Sequence, residues 1–264
     1  MDKSEIKNDE DKIQSGKVEH GFQNIKAKKV VLPDDYPFFQ KGILHLIAYF
    51  FVARIMVAIS YFYAYIFMGL KVKGKKYKKI IKKKGCIVIS NHIHPWDSYI
   101  LVGKFLPRRL FATSLQSNLG IPFFGKIMEL CGAVPIPEKR EHYPKFLASM
   151  SEALKKGKKI LVYPEGSLNL YSQEIKPFKK GAVRFATENA SLILPCCFTF
   201  RNPGIFRKIF LFRKKPLITL HYLPPYQVEM LESKAETISQ TTINLYDILD
   251  EHFQKHNNFT GKIS

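Results

Sequence analysis

Between Ile43 and Leu70 the chain is almost wholly apolar and aromatic, with His45 and Arg54 as the only side chains able to carry charge. A helix of that length, rising about 1.5 Å per residue, outreaches the roughly 30 Å hydrocarbon core of a bilayer. The run therefore restricts the chain to two architectures: a membrane-associating helix, or a core helix with surplus length. Core helices seldom run so far without a polar face, which favours the membrane. Arg54 lies near the middle, where a charge costs about 2.5–3.5 kcal/mol on insertion scales. The helix is expected to tilt, to snorkel Arg54, or to dip in and return without crossing.

Directly after this run come Lys71-Val72-Lys73-Gly74-Lys75-Lys76-Tyr77-Lys78-Lys79 and then Lys82-Lys83-Lys84. The positive-inside tendency puts the domain that follows on the cytoplasmic face of a membrane. The chain as a whole carries 42 Lys and Arg against 22 Asp and Glu, a net charge of +20, and so expects anionic partners: an anionic membrane surface or a phosphate-bearing substrate. No helix-turn-helix, zinc-finger or RNA-recognition signature accompanies the lysines, so no nucleic acid is expected. Residues 1–40 are polar and lack an apolar stretch at their start, reading as a flexible leader and not as a secretory signal. Cys86, Cys131, Cys196 and Cys197 form no CxxC pair, so they read as reduced core residues and no metal is expected.

Beyond Gly85 short β-branched runs alternate with amphipathic stretches, which predicts an α/β fold: a mixed, mainly parallel sheet flanked by helices, with the N-terminal membrane-associating helical segment attached. Strands are expected at Cys86–Ser90, Leu110–Thr113, Ala133–Ile136, Ile160–Tyr163, Leu192–Phe200 and Leu217–Tyr222. Helices are expected at Ser98–Phe105, Phe123–Leu130, Tyr143–Lys156, Gly181–Asn189 and Ser233–His256, Gly157 providing a C-terminal stop. Three regions follow: a leader over 1–40, the apolar helix with its basic block over 41–84, and a folded domain over 85–264.

The first strand runs into Asn91-His92-Ile93-His94-Pro95-Trp96-Asp97-Ser98. On a continuous helix His92 and Asp97 would point about 140° apart, so their cooperation requires a turn. Pro95 supplies it, disfavouring helix at His94 and suiting the start of the helix beyond. A carboxylate bonded to one ring nitrogen fixes the tautomer and leaves the other free to take a proton from a bound hydroxyl. By itself this spacing is common. His94 is the competing base; Ser98 and Ser167 would be the nucleophiles of a hydrolase, but neither lies in a G-x-S-x-G elbow.

A second constellation is Tyr163-Pro164-Glu165-Gly166-Ser167 at a strand end, where glycine lets backbone N–H groups approach an oxyanion or phosphate. Lys176, Lys179 and Lys180 precede a helix N-terminus at Gly181, and Lys139 and Arg140 follow the strand ending at Ile136. Together these segments resemble the glycerolipid acyltransferase superfamily over roughly Gly85 to Phe200. Asn91-His92 with Asp97 matches its first motif. Ile121-Pro122-Phe123-Phe124-Gly125 followed by Gly132 to Ile136 is similar to the second, Tyr163 to Ser167 to the third, and Leu192-Ile193-Leu194-Pro195 to the fourth.

The resemblance implies that His92 is a general base and Asp97 its orienting carboxylate, with no covalent enzyme intermediate and no bound cofactor. It further implies an acyl donor, acyl-CoA or acyl carrier protein, and a lysophospholipid acceptor, lysophosphatidate giving phosphatidate; glycerol-3-phosphate or another lysolipid is the alternative acceptor. Backbone N–H groups near Gly166 are expected to hold the oxyanion, and Asn91, Glu165, Gly166, Ser167, Lys139, Arg140, Lys179 and Lys180 to bind substrate. The pattern departs where the family carries an acidic residue and then arginine after the second motif: this chain has Pro137 and Glu138. Leu168 replaces the arginine that often follows the third motif, and Ser114 or Gln116 stands near where a lysine is frequent. Without the resemblance, the same basic surface is also that of a non-catalytic, lipid-binding peripheral membrane protein.

Overall fold

In the computed structural model the described residues are 27–39, 42–82, 84–105, 110–205 and 215–261. The helix α1 (Ile43–Ile66) leads into a short strand β1 (Lys71–Lys73) and helix α2 (Lys75–Ile80). The α/β domain continues through β2 (Cys86–Ser90), α3 (Asp97–Phe105), β3 (Leu110–Leu115), α4 (Phe124–Leu130), β4 (Ala133–Ile136), α5 (Tyr143–Lys155) and β5 (Lys159–Val162). It closes with α6 (Gly181–Glu188), β6 (Leu192–Arg201), β7 (Leu217–Tyr222) and α7 (Lys234–His256). The expected elements are all present, with ends moved by a residue or two, as helix and strand termini fray.

The seven strands form one sheet in the order β1-β7-β6-β2-β5-β3-β4, parallel except for the antiparallel β6–β7 pair. β2 lies in its interior, paired with β5 on one side and β6 on the other, and all five of its residues are buried. That explains why its sequence is a continuous apolar run and not an alternation. Right-handed crossovers put α3 and α4 on one face of the sheet and α5 and α6 on the other. Two helix boundaries show local causes. Ser233 caps α7 by accepting the Glu236 N–H, and Gly157, at φ 73°, turns the chain after α5 so that the Gly157 and Lys158 N–H groups close on Leu154 and Ala153.

Two regions depart from expectation. The basic block is not a loose juxtamembrane run: Lys71–Lys73 pairs in register with Thr219–His221 as an edge strand. A three-residue, lysine-flanked strand protects an exposed sheet edge against further pairing, which is why it reads as a charge run and not as a strand. Lys83 and residues 1–26 lie outside the described residues. Within the described 27–39 stretch Leu32, Phe38 and Phe39 are buried, Phe38 edge-on against Phe146 and Phe39 against Phe111.

Helix α1 is long and apolar enough to cross a membrane over Leu46–Ile66. It is not a core helix. Tyr49, Ala53, Met56, Val57, Ser60 and Ala64 form a buried stripe at helical spacing; Tyr49, Ala53 and Met56 cluster with Trp96, Tyr99, Ile127 and Cys131 of the α3–α4 layer, and Val57 and Ala64 join the main core. The remaining faces leave Ile43, Leu46, Ile47, Phe50, Phe51, Ile55, Ile59 and Phe62 exposed. Arg54 shares this outer side, its guanidinium 3.9 Å from the Phe50 ring centroid. The two sides predict opposite responses. Ala64→Leu, at a fully buried contact, should cost about 1–3 kcal/mol by overpacking, whereas Ile55→Ser on the exposed side should stay within about 0.5 kcal/mol. Thermal unfolding of the detergent-solubilised protein measures both.

Candidate active site

The C-terminal ends of the parallel strands share one edge of the sheet, where an open α/β fold places its ligand crevice. His92 leaves the end of β2 and Asp97 opens α3. The turn between them is built on one carboxylate oxygen: Asp97 Oδ2 accepts the Ile93 N–H at 2.7 Å, the His94 N–H at 2.8 Å and lies 3.2 Å from His92 Nδ1. The Asp97 side chain is fully buried and that of His92 is one-fifth exposed. A carboxylate accepts only, so Nδ1 carries the proton and Nε2 keeps its lone pair for chemistry. The imidazole plane is held from below by Tyr163, whose ring stacks on it at 3.9 Å and 12°, and the Tyr163 hydroxyl pairs with Ser98 Oγ at 3.1 Å. Sequence reasoning missed that role; an aromatic residue at the end of a strand adjacent to β2 was its signal.

A second buried carboxylate joins the facing loop to the same turn. Glu165 Oε1 accepts the His92 N–H at 3.0 Å, while Oε2 accepts the Asn169 side-chain amide at 2.5 Å and the Lys176 N–H at 3.4 Å. Burial pushes the Glu165 carboxyl above its usual range, and these three hydrogen bonds pull it back. The Asn169 and Tyr171 N–H groups bond in turn to the carbonyls of His92 and Ile93, at 2.8 and 2.9 Å. Asn91 is buried and exchanges two bonds with the Phe198 backbone of β6, accepting at 2.8 Å and donating at 2.9 Å. Asn91 and Glu165, expected as substrate-binding groups, have their side-chain polar atoms hydrogen-bonded within the protein.

Of the backbone N–H groups near Gly166, expected to hold an oxyanion, that of Gly166 itself donates to the Tyr163 carbonyl at 3.1 Å. The N–H groups of Ser167 and Leu168 have no acceptor among the described residues. Gly166 sits at φ 73°, and a Cβ there would lie 2.7 Å from Lys179 Nζ. Glycine is needed both for the backbone and for the close approach of that ammonium. Lys179 also donates its N–H to the Pro164 carbonyl at 2.8 Å, and Lys180 is the N-cap of α6. Lys139 and Arg140 stand apart. They follow β4, three strands from β2, or about 14 Å at 4.7–4.9 Å per strand. Lys139 is exposed and paired with Glu141 at 2.9 Å, which raises its pKa.

The competing groups are otherwise engaged. His94 Nδ1 accepts the Trp96 N–H at 3.2 Å, and its ring stacks on Tyr63 of α1 with centroids 5.8 Å apart. Among the described residues neither Ser98 nor Ser167 bonds to His92, so no nucleophile–base pair supports a hydrolase. For Asn91→Ala, two buried backbone groups of Phe198 lose their partners, and each orphaned group costs about 1–3 kcal/mol. Denaturant titration should show that loss in unfolding free energy.

With this geometry established, comparisons with known proteins become informative. The family model described as Acyltransferase matches residues 70–199. A 1-acyl-sn-glycerol-3-phosphate acyltransferase of Pseudomonas aeruginosa is 32% identical over 117 residues, 44% of each chain. The human 1-acyl-sn-glycerol-3-phosphate acyltransferase beta is 27% identical over 135 residues, 50% of this chain and 48% of its own. The chain thus spans about half the length of these two relatives. The crystal structure of the 1-acyl-sn-glycerophosphate acyltransferase of Thermotoga maritima shares the fold, with a TM-score of 0.50 at 17% identity, over 81% of this chain and 96% of that one. Through the domain that carries His92, Asp97 and Glu165, the chain belongs to the glycerolipid acyltransferase superfamily.

Proposed function

We propose that the protein is an O-acyltransferase that moves a fatty acyl group from a thioester, acyl-CoA or acyl carrier protein, to the hydroxyl of a lysophospholipid, lysophosphatidate giving phosphatidate. The observation that carries this reading is the His92–Asp97 pair: an imidazole oriented by a fully buried carboxylate, with no enzyme nucleophile bonded to it. The acceptor then supplies the nucleophile. His92 Nε2 takes the hydroxyl proton as the oxygen attacks the thioester carbonyl, and Asp97 stabilises the imidazolium that forms. The tetrahedral oxyanion is held by backbone N–H groups, those of Ser167 and Leu168, which have no acceptor among the described residues. Collapse breaks the C–S bond, the imidazolium returns the proton to the leaving thiolate, and the ester departs with a free thiol.

Membrane association follows from α1. Its exposed apolar side, together with the protruding Phe123 at 78% exposure, forms a surface that a bilayer interface would cover, with the β1–α2 lysines placed against anionic headgroups at the cytoplasmic face. The catalytic turn touches this helix through His94 and Tyr63, so a lipid hydroxyl arrives beside the base without leaving the interface. Lys179 and Lys180 are the proposed contacts for an acceptor phosphate. Because a lysine lacks the bidentate fork of arginine, the acceptor headgroup is the least constrained element of this reading.

Purified protein given acyl-CoA, or acyl carrier protein, and a panel of lysolipids with glycerol-3-phosphate should release free thiol with lysophosphatidate. His92→Ala should abolish release while unfolding behaviour is unchanged; full turnover in that variant would remove the dyad from the mechanism, and no release with any acceptor would leave a lipid-binding protein. Deleting Ile43–Leu70 is an unsuitable membrane test, because the buried Ala64, Met68 and Leu70 would go with it. The double variant Ile55→Ser/Phe62→Ser should instead shift the protein from vesicles of anionic lipid into the soluble fraction. Unchanged sedimentation with the vesicles would place the contact elsewhere.

A further inference from the structure

Three histidines outside the candidate active site meet between the sheet and the C-terminal helix. His221 is in β7, two strands from β2, and His252 and His256 occupy one face of α7 at i, i+4. Their ring centroids are 4.6 Å (His221–His252), 5.1 Å (His221–His256) and 4.1 Å (His252–His256) apart. We propose that His221, His252 and His256 form a binding site for a divalent transition-metal ion of the zinc, nickel or copper class.

The spacing is the first argument. With Zn–N of 2.0–2.1 Å, each imidazole centre lies about 3.2 Å from the ion, so three rings at tetrahedral angles have centres about 5 Å apart. Two of the three pairs already have that separation, and the stacked His252–His256 pair must open by about 1 Å as its rings turn their nitrogens inward. The second argument is the state of the nitrogens. His256 Nδ1 lies 3.0 Å from the His252 carbonyl, which can only accept, so Nδ1 holds the proton and Nε2 is left as a lone pair. His221 Nε2 pairs with Thr199 Oγ1 at 3.0 Å, leaving Nδ1. His252 Nε2 is buried without a hydrogen-bond partner. His221 and His256 are thus held as ligating histidines are, one nitrogen anchored on a protein oxygen and the other open.

The surroundings fit the same ligand. Burial and the neighbouring Lys73, Arg201 and Lys255, with the other imidazoles, keep His221 and His252 neutral down to about 3 and about 4. No carboxylate belongs to the trio, and a set of imidazole nitrogens disfavours magnesium and calcium and suits zinc, nickel or copper, whose bonds to nitrogen must outweigh the positive charges nearby. An ion here would join the last turns of α7 to β7, whose His221 is in register with Lys73 of β1.

The test uses tag-free, full-length protein in detergent, stripped with a chelator and desalted. Titration with Zn²⁺ by calorimetry should give one saturable site and a raised unfolding temperature. His252→Gln and His256→Gln should each weaken binding at least about tenfold, while His142→Gln, at the buried histidine beside exposed Asp34 and Glu141, should leave the affinity of this site unchanged. Bound Cu²⁺ should show imidazole nitrogen coupling in its electron paramagnetic resonance spectrum, a readout that needs no variant. Absence of saturable binding, affinity retained in both α7 variants, loss in His142→Gln, or no nitrogen coupling would each overturn the site. Because acyl transfer is not measured, failure here leaves the proposed function untouched.

Discussion

One oxygen of a buried carboxylate organises the catalytic turn. Removing Asp97 from water is costly unless its charge is hydrogen-bonded, and Oδ2 meets that requirement with two backbone N–H groups and the His92 ring. Those donors in turn need an acceptor, since Ile93 and His94 are buried. The turn therefore closes in one way, with Pro95 preventing helix before Asp97 and the ring drawn onto the carboxylate. Glu165 repeats the device from the neighbouring loop, binding the His92 N–H and two groups of the 165–176 segment. Asp97 thus closes the turn after β2, Glu165 ties the loop after β5 to it, and the Tyr163 ring completes the seat of His92.

The same turn is also the contact with the apolar helix. Tyr63 of α1 stacks on His94 and lies beside Trp96, two residues on either side of Pro95. The fold thereby links the position of the proposed base to the element proposed to enter the interface, and a displacement of α1 would be felt first at the residues between His92 and Asp97. That coupling accounts for His94, whose ring packs against Tyr63, while His92, two residues earlier, is the proposed base.

The sequence made the apolar helix, the buried strands and the His92–Asp97 turn legible because each depends on local pattern: length, β-branched runs and a proline between two polar residues. What it hid was tertiary. Lys71–Lys73 is a strand only because β7 offers it an edge, and the 27–39 segment is ordered only because Phe111 and Phe146 receive its aromatic rings. Asn91 and Glu165 are polar residues in a motif, so spacing alone could not distinguish a group that touches substrate from one that binds Phe198 or the His92 backbone. The turn that Gly166 permits closes its own N–H onto the Tyr163 carbonyl, which the spacing of the motif does not reveal.

Geometry also separates the cationic groups that charge counting treats alike. Lys139 and Arg140 lie beyond the edge strand, about 14 Å from β2, and Lys139 is already neutralised by Glu141. Lys179 reaches the Gly166 backbone, on the loop whose Glu165 is bonded to His92. An ammonium there lies close to where a short acceptor headgroup would sit while its hydroxyl faces the base, and any side chain at residue 166 would displace it. On the proposed reading, headgroup recognition has moved from a guanidinium fork to a point charge held by backbone geometry. A point charge attracts an anion strongly without imposing an orientation on it. Discrimination among acceptors then falls to the shape of the interface between α1 and the catalytic turn, and not to the charged residues.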